Sequence, residues 1–596
     1  MTIKSPETAA DVTPIAAAIE GAAEAPRAVK RQRLAGLDAF LRMPDDLPLQ
    51  PLGCNDGIYY YLDGLYQLRS LKETEHGRAT IVALFARHED YLLSRWPRYD
   101  KKGQPTGGFH SDLVANMLMA SCAEAGVMDP AEQVRGVGAW RGDDGGLVLH
   151  CGDHVWIAGE FRKPGRYGDY VYPSFPATLK PARERANGAA AEELLSILNT
   201  WHWQDPLYAY LTLGFVAQGY VAGALPWRSH LYVDGEAGAG KSTLQRTIRG
   251  VFQRWCLDTT DTTAAALYQL MQGRAQPVLI DEFEPGDNPQ RKQAALQALR
   301  QASSGGKVSR GGDQHVGRSF SVQFPALLTS IVTIPLPPQD ESRIVRARLS
   351  PIIEGTVLPN LDQTRLGDLG ARLMRRMLDQ WPRFTDTFAA YRHALREIAG
   401  FDDRLQDTYG TLLACADLAI YDYPVSSDEL SDLVARIAAL TAPMQAEKLS
   451  DQARCLQYLL DMPLDRGAGV KRTIANWIVE AKEDLRHASR NQAAFGDTQT
   501  TMPAQDALAS VGLRLFAERD EGGDDAYFLF VANEHSALTR IFTDTAWPGK
   551  AGAQGAWKDV LRRIPGAYAD GPVRLGGALK RGTKVPLAGF IQWVET

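Results

Sequence analysis

Residues 231–247, LYVDGEAGAGKSTLQRT, hold the densest chemistry in the chain: an apolar strand-like run enters a glycine-rich turn and leaves it as a helix. Gly235-Glu236-Ala237-Gly238-Ala239-Gly240-Lys241-Ser242 satisfies the phosphate-loop pattern G-x-x-x-x-G-K-[ST] in the strand-before, helix-after context which that pattern requires. Gly235, Gly238 and Gly240 let the backbone curl until successive amides face phosphate oxygens, and the helix beyond presents its positive end to them. Lys241 reaches the β and γ phosphates, Ser242 offers its hydroxyl to magnesium, and Thr243 completes the turn. A second run, Pro277-Val-Leu-Ile-Asp-Glu-Phe-Glu284, reads as a buried parallel strand ending in paired acids. Asp281 is placed to hold the magnesium shell and Glu282 to act as general base on the attacking water. The chemistry is hydrolysis of a nucleoside triphosphate with magnesium.

Such a site needs a parallel sheet to carry it, so the fold class expected is α/β with a P-loop NTPase core. That core spans 185–354, opening with helices at 185–225 that carry Trp201, Trp203 and Tyr208. Thr262 or Thr263 caps a helix continuing to 270, and another helix fills 288–302. The loop 303–318 follows, mobile by its glycines and basic by Lys307, Arg310 and Arg318; projected as a hairpin, it would grip nucleic-acid phosphates, the alternative being a solvated surface loop. In the apolar run 324–334, Thr329 or Ser330 is the candidate sensor of the γ-phosphate. Arg343 or Arg346 is the candidate guanidinium supplied to a neighbouring subunit's nucleotide, the alternative being surface ion pairs.

Around this core lie a flexible tail at 1–45 with the basic cluster Lys30-Arg31-Gln32-Arg33, a mixed α/β accessory domain at 46–184, a helical lid or platform at 355–445, and a C-terminal unit at 446–596. In the accessory domain, strands at 58–62 and 65–68 are expected to join through an Asp63-Gly64 turn, and His150 and His154 have no metal-binding company. The C-terminal unit reads as helix, helix, then a basic strand pair, the pattern of a winged helix. Its candidate nucleic-acid contacts are Lys558, Arg562 and Arg563 on the second helix and Lys580, Arg581 and Lys584 between the strands; a purely structural unit is the alternative.

At 596 residues the chain has room for several domains, and a formal charge of −6 confines any nucleic-acid binding to local patches. Six scattered cysteines, with no C-x-x-C pair, indicate a reducing compartment and no structural zinc. The absence of a long uncharged apolar run or a basic-then-apolar start leads to the expectation of a cytoplasmic protein with no membrane partner.

With these residues in view, the chain resembles the phage and prophage replication ATPases, often labelled primase/helicase proteins, related to the superfamily 3 and poxvirus D5-type helicases. The resemblance covers about 225–350: Gly235 through Thr243, Pro277 through Glu282, the loop around Lys307, and Asp340 followed by Arg343. It implies an AAA-like core, a ring, hexameric in its expected form, ATP and magnesium as cofactors, and movement on DNA, single-stranded in a central channel. Superfamily 3 members place asparagine at the sensor position, where this chain has Thr329 and Ser330. Residues 1–185 carry neither a cysteine cluster nor an acidic triad for priming, so a primase is expected to be a separate protein. The competing expectations are an ATPase that remodels or loads proteins or acts in phage defence, and a nucleotide-gated DNA-binding switch.

Overall fold

The computed structural model describes residues 44–260, 262–283, 289–311, 317–331, 336–353, 362–446, 451–464, 472–495, 503–519, 525–543, 545–549 and 554–591. The tail and its basic cluster therefore lie outside the described residues. The chain divides into two compact units, Met1–Leu440 and Thr441–Thr596. Among the described residues no helix is long and apolar enough to cross a membrane.

The first unit opens with a three-stranded antiparallel sheet, Gln50–Asn55, Ile58–Leu62 and Leu68–Lys72. Its tight turn is Asp56-Gly57, both at positive φ (47° and 73°), and not the expected Asp63-Gly64. Asp63 is buried and takes the N–H groups of Leu65 (2.9 Å) and Gln67 (2.8 Å) on one carboxylate oxygen, so 63–67 form a longer capped loop. In the second strand Tyr61 is fully buried with its hydroxyl 2.9 Å from His76 Nε2, and Tyr59 and Tyr60 are half-buried. A four-stranded sheet follows, Gly138–Arg141, Leu147–His150, Val155–Ile157 and Glu160–Arg162, with a turn over 142–146. His150 is buried, its Nδ1 accepting from Gly152 N (3.0 Å) and its Nε2 donating to Pro173 O (2.7 Å); burial pushes its pKa down to about 4.

The core is a five-stranded, all-parallel sheet. Its elements in chain order are β1 (His230–Gly235), α1 (Lys241–Phe252), β2 (Leu257–Thr260), α2 (Ala264–Met271), β3 (Val278–Asp281) and α3 (Pro289–Ser304), then the hairpin β4 (Lys307–Gly311) and β5 (Gly317–Ser321), then β6 (Ala326–Ser330) and β7 (Ile344–Leu349). The sheet order is β2-β3-β6-β1-β7. β1 and β6 are buried on both faces, as strands covered by helices on each side must be. β2, read from sequence as the polar start of a helix, is the edge strand; Thr263 is the N-cap of α2, its hydroxyl accepting from Ala266 N at 3.1 Å.

Helices α4 (Gln363–Gln380), α5 (Phe384–Ala399) and α6 (Asp403–Ile420) make up most of the segment expected to be a lid or platform. They are fastened to the end of the sheet where β1 and β7 begin: Trp227 Nε1 donates to Thr408 Oγ1 (3.1 Å), Ser229 Oγ to Thr408 O (2.7 Å), and Thr408 Oγ1 to Ser342 O (2.8 Å). α4 also crosses α1 closely at Gly370, where a Cβ would run into the carbonyl oxygen of Val251.

The second unit is built on a four-stranded antiparallel sheet in the order Leu513–Arg519, Asp525–Ala532, Ala578–Pro586, Tyr568–Leu575, around a core containing Phe530, Phe542, Trp557 and Leu561. The expected helices appear as Ser536–Ile541 and Trp557–Leu561. The final hairpin turns at Gly576-Gly577, so Lys580, Arg581 and Lys584 lie inside a strand and not in the turn where the sequence pattern placed them. The turn moves because only Gly576 and Gly577 offer two consecutive residues suited to positive φ (52° and 92°).

Candidate functional site

β1 ends at Gly235 and α1 begins at Lys241, with the loop 236–240 between them. Gly238 and Gly240 hold φ of 82° and 86°, a region closed to side chains without strain. Gly235 is tight for another reason: a Cβ there would meet the Leu349 carbonyl oxygen of β7 at 2.8 Å. Lys241 is buried and its ammonium donates to Gly235 O (2.6 Å) and Glu236 O (2.8 Å), curling over the loop. Ser242 is exposed at the first turn, and Arg246 one turn on donates to Ser242 O (3.3 Å) and Thr243 Oγ1 (3.5 Å).

β3 delivers Asp281 to the same end of the sheet. Its Oδ1 receives the Thr329 hydroxyl from β6 at 2.5 Å and the Glu282 N–H at 3.1 Å. Glu282 is exposed with φ of 54°, a left-handed conformation that a non-glycine residue adopts at a cost. Phe283 N then donates to Thr329 O at 2.8 Å, returning the chain to β6. Thr329 is fully buried and its hydroxyl also lies 3.1 Å from Gln245 Oε1 on α1. Ser330 is buried too, 2.5 Å from the Tyr232 hydroxyl. The two sensor candidates thus have different surroundings: Thr329 touches Asp281, and Ser330 touches the interior of β1.

Three contributors take roles here that the sequence did not assign to them. Trp201 Nε1 donates to Gly240 O at 3.0 Å, bracing the end of the loop from outside the sheet. Its neighbours join β7: Gln204 N donates to Arg348 O (2.9 Å) and Ser350 N to His202 O (2.7 Å). Arg348 in turn grips buried Asp234 through two bonds (3.0 and 3.2 Å), which raises the guanidinium pKa. Gln245, four residues beyond Lys241, is 5% exposed and bridges to Asp258 on β2 (3.3 Å). An i, i+4 spacing from the lysine was the signal available for it.

The donor set suits magnesium. Ser242 and Asp281 offer hard oxygens, and that ion binds through one or two carboxylates beside phosphate oxygens and waters. Among the described residues no group of three or more His, Cys, Asp or Glu gathers to hold a metal by itself.

The arginines stand elsewhere. His230 N donates to Arg343 O (3.1 Å), so Arg343 marks the beginning of β1, about 17 Å along the strand from Gly235. It is buried, donates to Gln339 O and lies 5.6 Å from the Trp227 ring; burial, with Arg404 and Arg300 nearby, lowers its pKa to about 10. Arg346 keeps 30% of its side chain exposed and pairs with Glu341 at 3.3 Å.

The basic loop is a hairpin in its backbone, with Lys307 opposite Ser321 and Arg310 opposite Arg318; the side chains of Lys307, Arg310 and Arg318 lie outside the described residues. In the second unit, Arg562, Arg563 and Arg581 are exposed and Lys580 is half-buried. Lys558 contacts Gln554 and lies 3.6 Å from Asp559. Lys584 is turned inward, between Glu518 (2.6 Å) and Asp570 (3.2 Å) and 4.3 Å from the Phe516 ring. Burial disfavours its charge, and the two carboxylates more than offset this, leaving its pKa above the usual lysine value.

No protein-family model matches the sequence, and no curated protein matches it. Solved structures of the C-terminal region of NrS-1 are similar to it at low identity. The apo structure of the region 305–718 covers 90% of this chain and 99% of its own length at 11% identity, with a TM-score of 0.34. An A-form apo structure of the same region covers 90% and 96% at 11% identity and a TM-score of 0.33. Another A-form structure covers 90% and 97% at 10% identity and a TM-score of 0.33.

Proposed function

We propose that this chain is a magnesium-dependent ATPase that translocates on or unwinds DNA during replication of a phage or integrated element. One observation carries the ATPase: a buried lysine curls over a glycine loop at the end of a parallel strand, and the carboxylate of Asp281 stands at the same end of the sheet, held by Thr329. In this reading the loop amides and Lys241 bind the phosphates, Ser242 and Asp281 hold the cation, and Glu282 takes the proton of the attacking water. The bound cation would neutralise charge between the phosphates.

The DNA-directed part rests on the hairpin that carries Lys307, Arg310 and Arg318 beside the same core, and on a self-assembled ring, hexameric in the simplest form, that would gather such hairpins around a single strand. Arg562, Arg563 and Arg581 offer further phosphate contacts, and priming belongs to another protein. Of the two arginines offered to a neighbouring nucleotide, Arg346 is favoured by its exposure.

Steady-state ATPase activity without DNA, with single strands and with duplex, at low and moderate salt, tests both parts. Stimulation by single strands that falls with salt and is lost on neutralising Lys307 and Arg310 supports the motor. Activity that depends on Lys241 but ignores DNA overturns the DNA-directed part and leaves a remodelling or defence ATPase.

A further inference from the structure

A hydroxyl with one proton and two acceptors sits beside Asp281, the carboxylate assigned to the cation in the proposed function. Thr329 Oγ1 lies 2.5 Å from Asp281 Oδ1 and 3.1 Å from Gln245 Oε1, and the residue is fully buried. The orientation of the Gln245 amide is set by its other end. Asp258 Oδ1 accepts only, so the amide NH2 must face it (3.3 Å), which leaves the carbonyl oxygen toward Thr329. As the structure stands, the shorter bond takes the proton to the Asp281 carboxylate.

We infer that Gln245 is a positioning residue for the divalent cation, acting as the alternate acceptor of the Thr329 proton; this rests on the ATPase reading of the same site. When a cation shares the Asp281 carboxylate, Oδ1 loses negative charge and becomes a poorer acceptor. The Thr329 hydroxyl then rotates to Gln245 Oε1, and the buried proton is never orphaned. Without the Gln245 carbonyl, cation binding would leave that proton facing an oxygen already shared with the metal. The amide also ties the switch to its surroundings. α1 carries it four residues from Lys241, β2 anchors it through Asp258, and β6 and β3 carry the hydroxyl and the carboxylate, so four elements that converge on the nucleotide meet in one chain of bonds.

The test is equilibrium binding of a fluorescent ADP analogue to the full chain, in EDTA and across a magnesium titration, for wild type, Gln245→Leu, Thr329→Val and the double variant. Gln245→Leu is expected to bind the analogue in EDTA within about twofold of wild type and to need about tenfold more magnesium for half of the cation-dependent gain. In the Thr329→Val background, where no proton needs a second acceptor, Gln245→Leu should add little to the magnesium requirement. An equal loss with and without magnesium would make Gln245 merely structural, and an unchanged magnesium requirement, or a full effect in the Thr329→Val background, would overturn the inference while leaving the ATPase standing. A wild-type chain that binds no nucleotide, or gains nothing from magnesium, overturns the ATPase reading and this inference together.

Discussion

In the proposed mechanism, single side chains at the end of β3 divide the chemical labour. Glu282 is exposed, whereas Asp281 is held by Thr329; the first is suited to move a proton and the second to stay still. Glu282→Gln is expected to keep ATP binding and to lower kcat by about 100-fold or more, measured by single-turnover hydrolysis beside a nucleotide-binding assay; near-normal cleavage would remove it as the base. Lys241→Ala should abolish triphosphate binding altogether, because its ammonium is replaced by nothing that can neutralise the β and γ phosphates. Two other side chains set a pH limit. His230, like His150, is buried neutral: its Nδ1 accepts from Ala326 N (3.0 Å), its Nε2 lies 2.8 Å from Leu299 O, and burial lowers its pKa to about 4. Unfolded, both imidazoles take up a proton near pH 6.5. Stability is therefore full above that pH and falls as pH drops toward 4, by up to about 1.4 kcal/mol per pH unit for each. Urea midpoints at pH 7, 6 and 5 should decline in that order, and a midpoint that rises on acidification contradicts the assignment.

At the scale of elements, the glycine loop 236–240 is braced from two sides. β7 closes on Gly235, and the strap containing Trp201 holds Gly240, so the loop's two ends are fixed by segments on either side of it in the chain. Trp201→Phe removes the N–H and leaves a smaller ring in a buried site; nucleotide affinity should fall about three- to tenfold beside a loss of about 1 kcal/mol in stability, read by titration and melting together. The helix α4 closes on the far end of α1 at Gly370. Gly370→Ala should destabilise the first unit by about 1–3 kcal/mol, because neither helix backbone can yield without moving the other. Denaturant unfolding that leaves the variant level with wild type would show the crossing to be looser than its geometry.

For the molecule as a whole, the proposal is an assembly, and it makes a demand that one chain cannot meet. Arg343 and Arg346 belong to β7 and its approach, and in the proposed ring Arg346 serves the next subunit's nucleotide. Mixing Arg346→Ala chains with Lys241→Ala chains should restore part of the ATPase activity that each lacks alone. Verified mixed rings that stay silent would place the arginine's role in its own subunit. Arg343 is different: buried against Trp227, its loss should appear first as lower stability, since the Trp227 ring and the Gln339 carbonyl would lose the guanidinium they contact.

The loop from Gly235 to Ser242, the acidic end of β3 and the β6 position of Thr329 were legible in the sequence, because each depends on local rules: glycine's access to positive φ, a spacing that puts a lysine at a helix start, and an apolar run long enough to be a buried strand. The polar edge strand β2, the Asp56-Gly57 turn and the inward Lys584 were not, since short edge strands lack an apolar signature and a lysine's partners sit 66 and 14 residues away, at Glu518 and Asp570. Gln245 shows the division most plainly. Its type and its place on α1 come from the sequence, but its meaning comes from Asp258 and Thr329, which only the parallel order of β2, β3, β6 and β1 brings to it, because hydrogen bonds between distant strands follow sheet topology and leave no periodic trace in the chain.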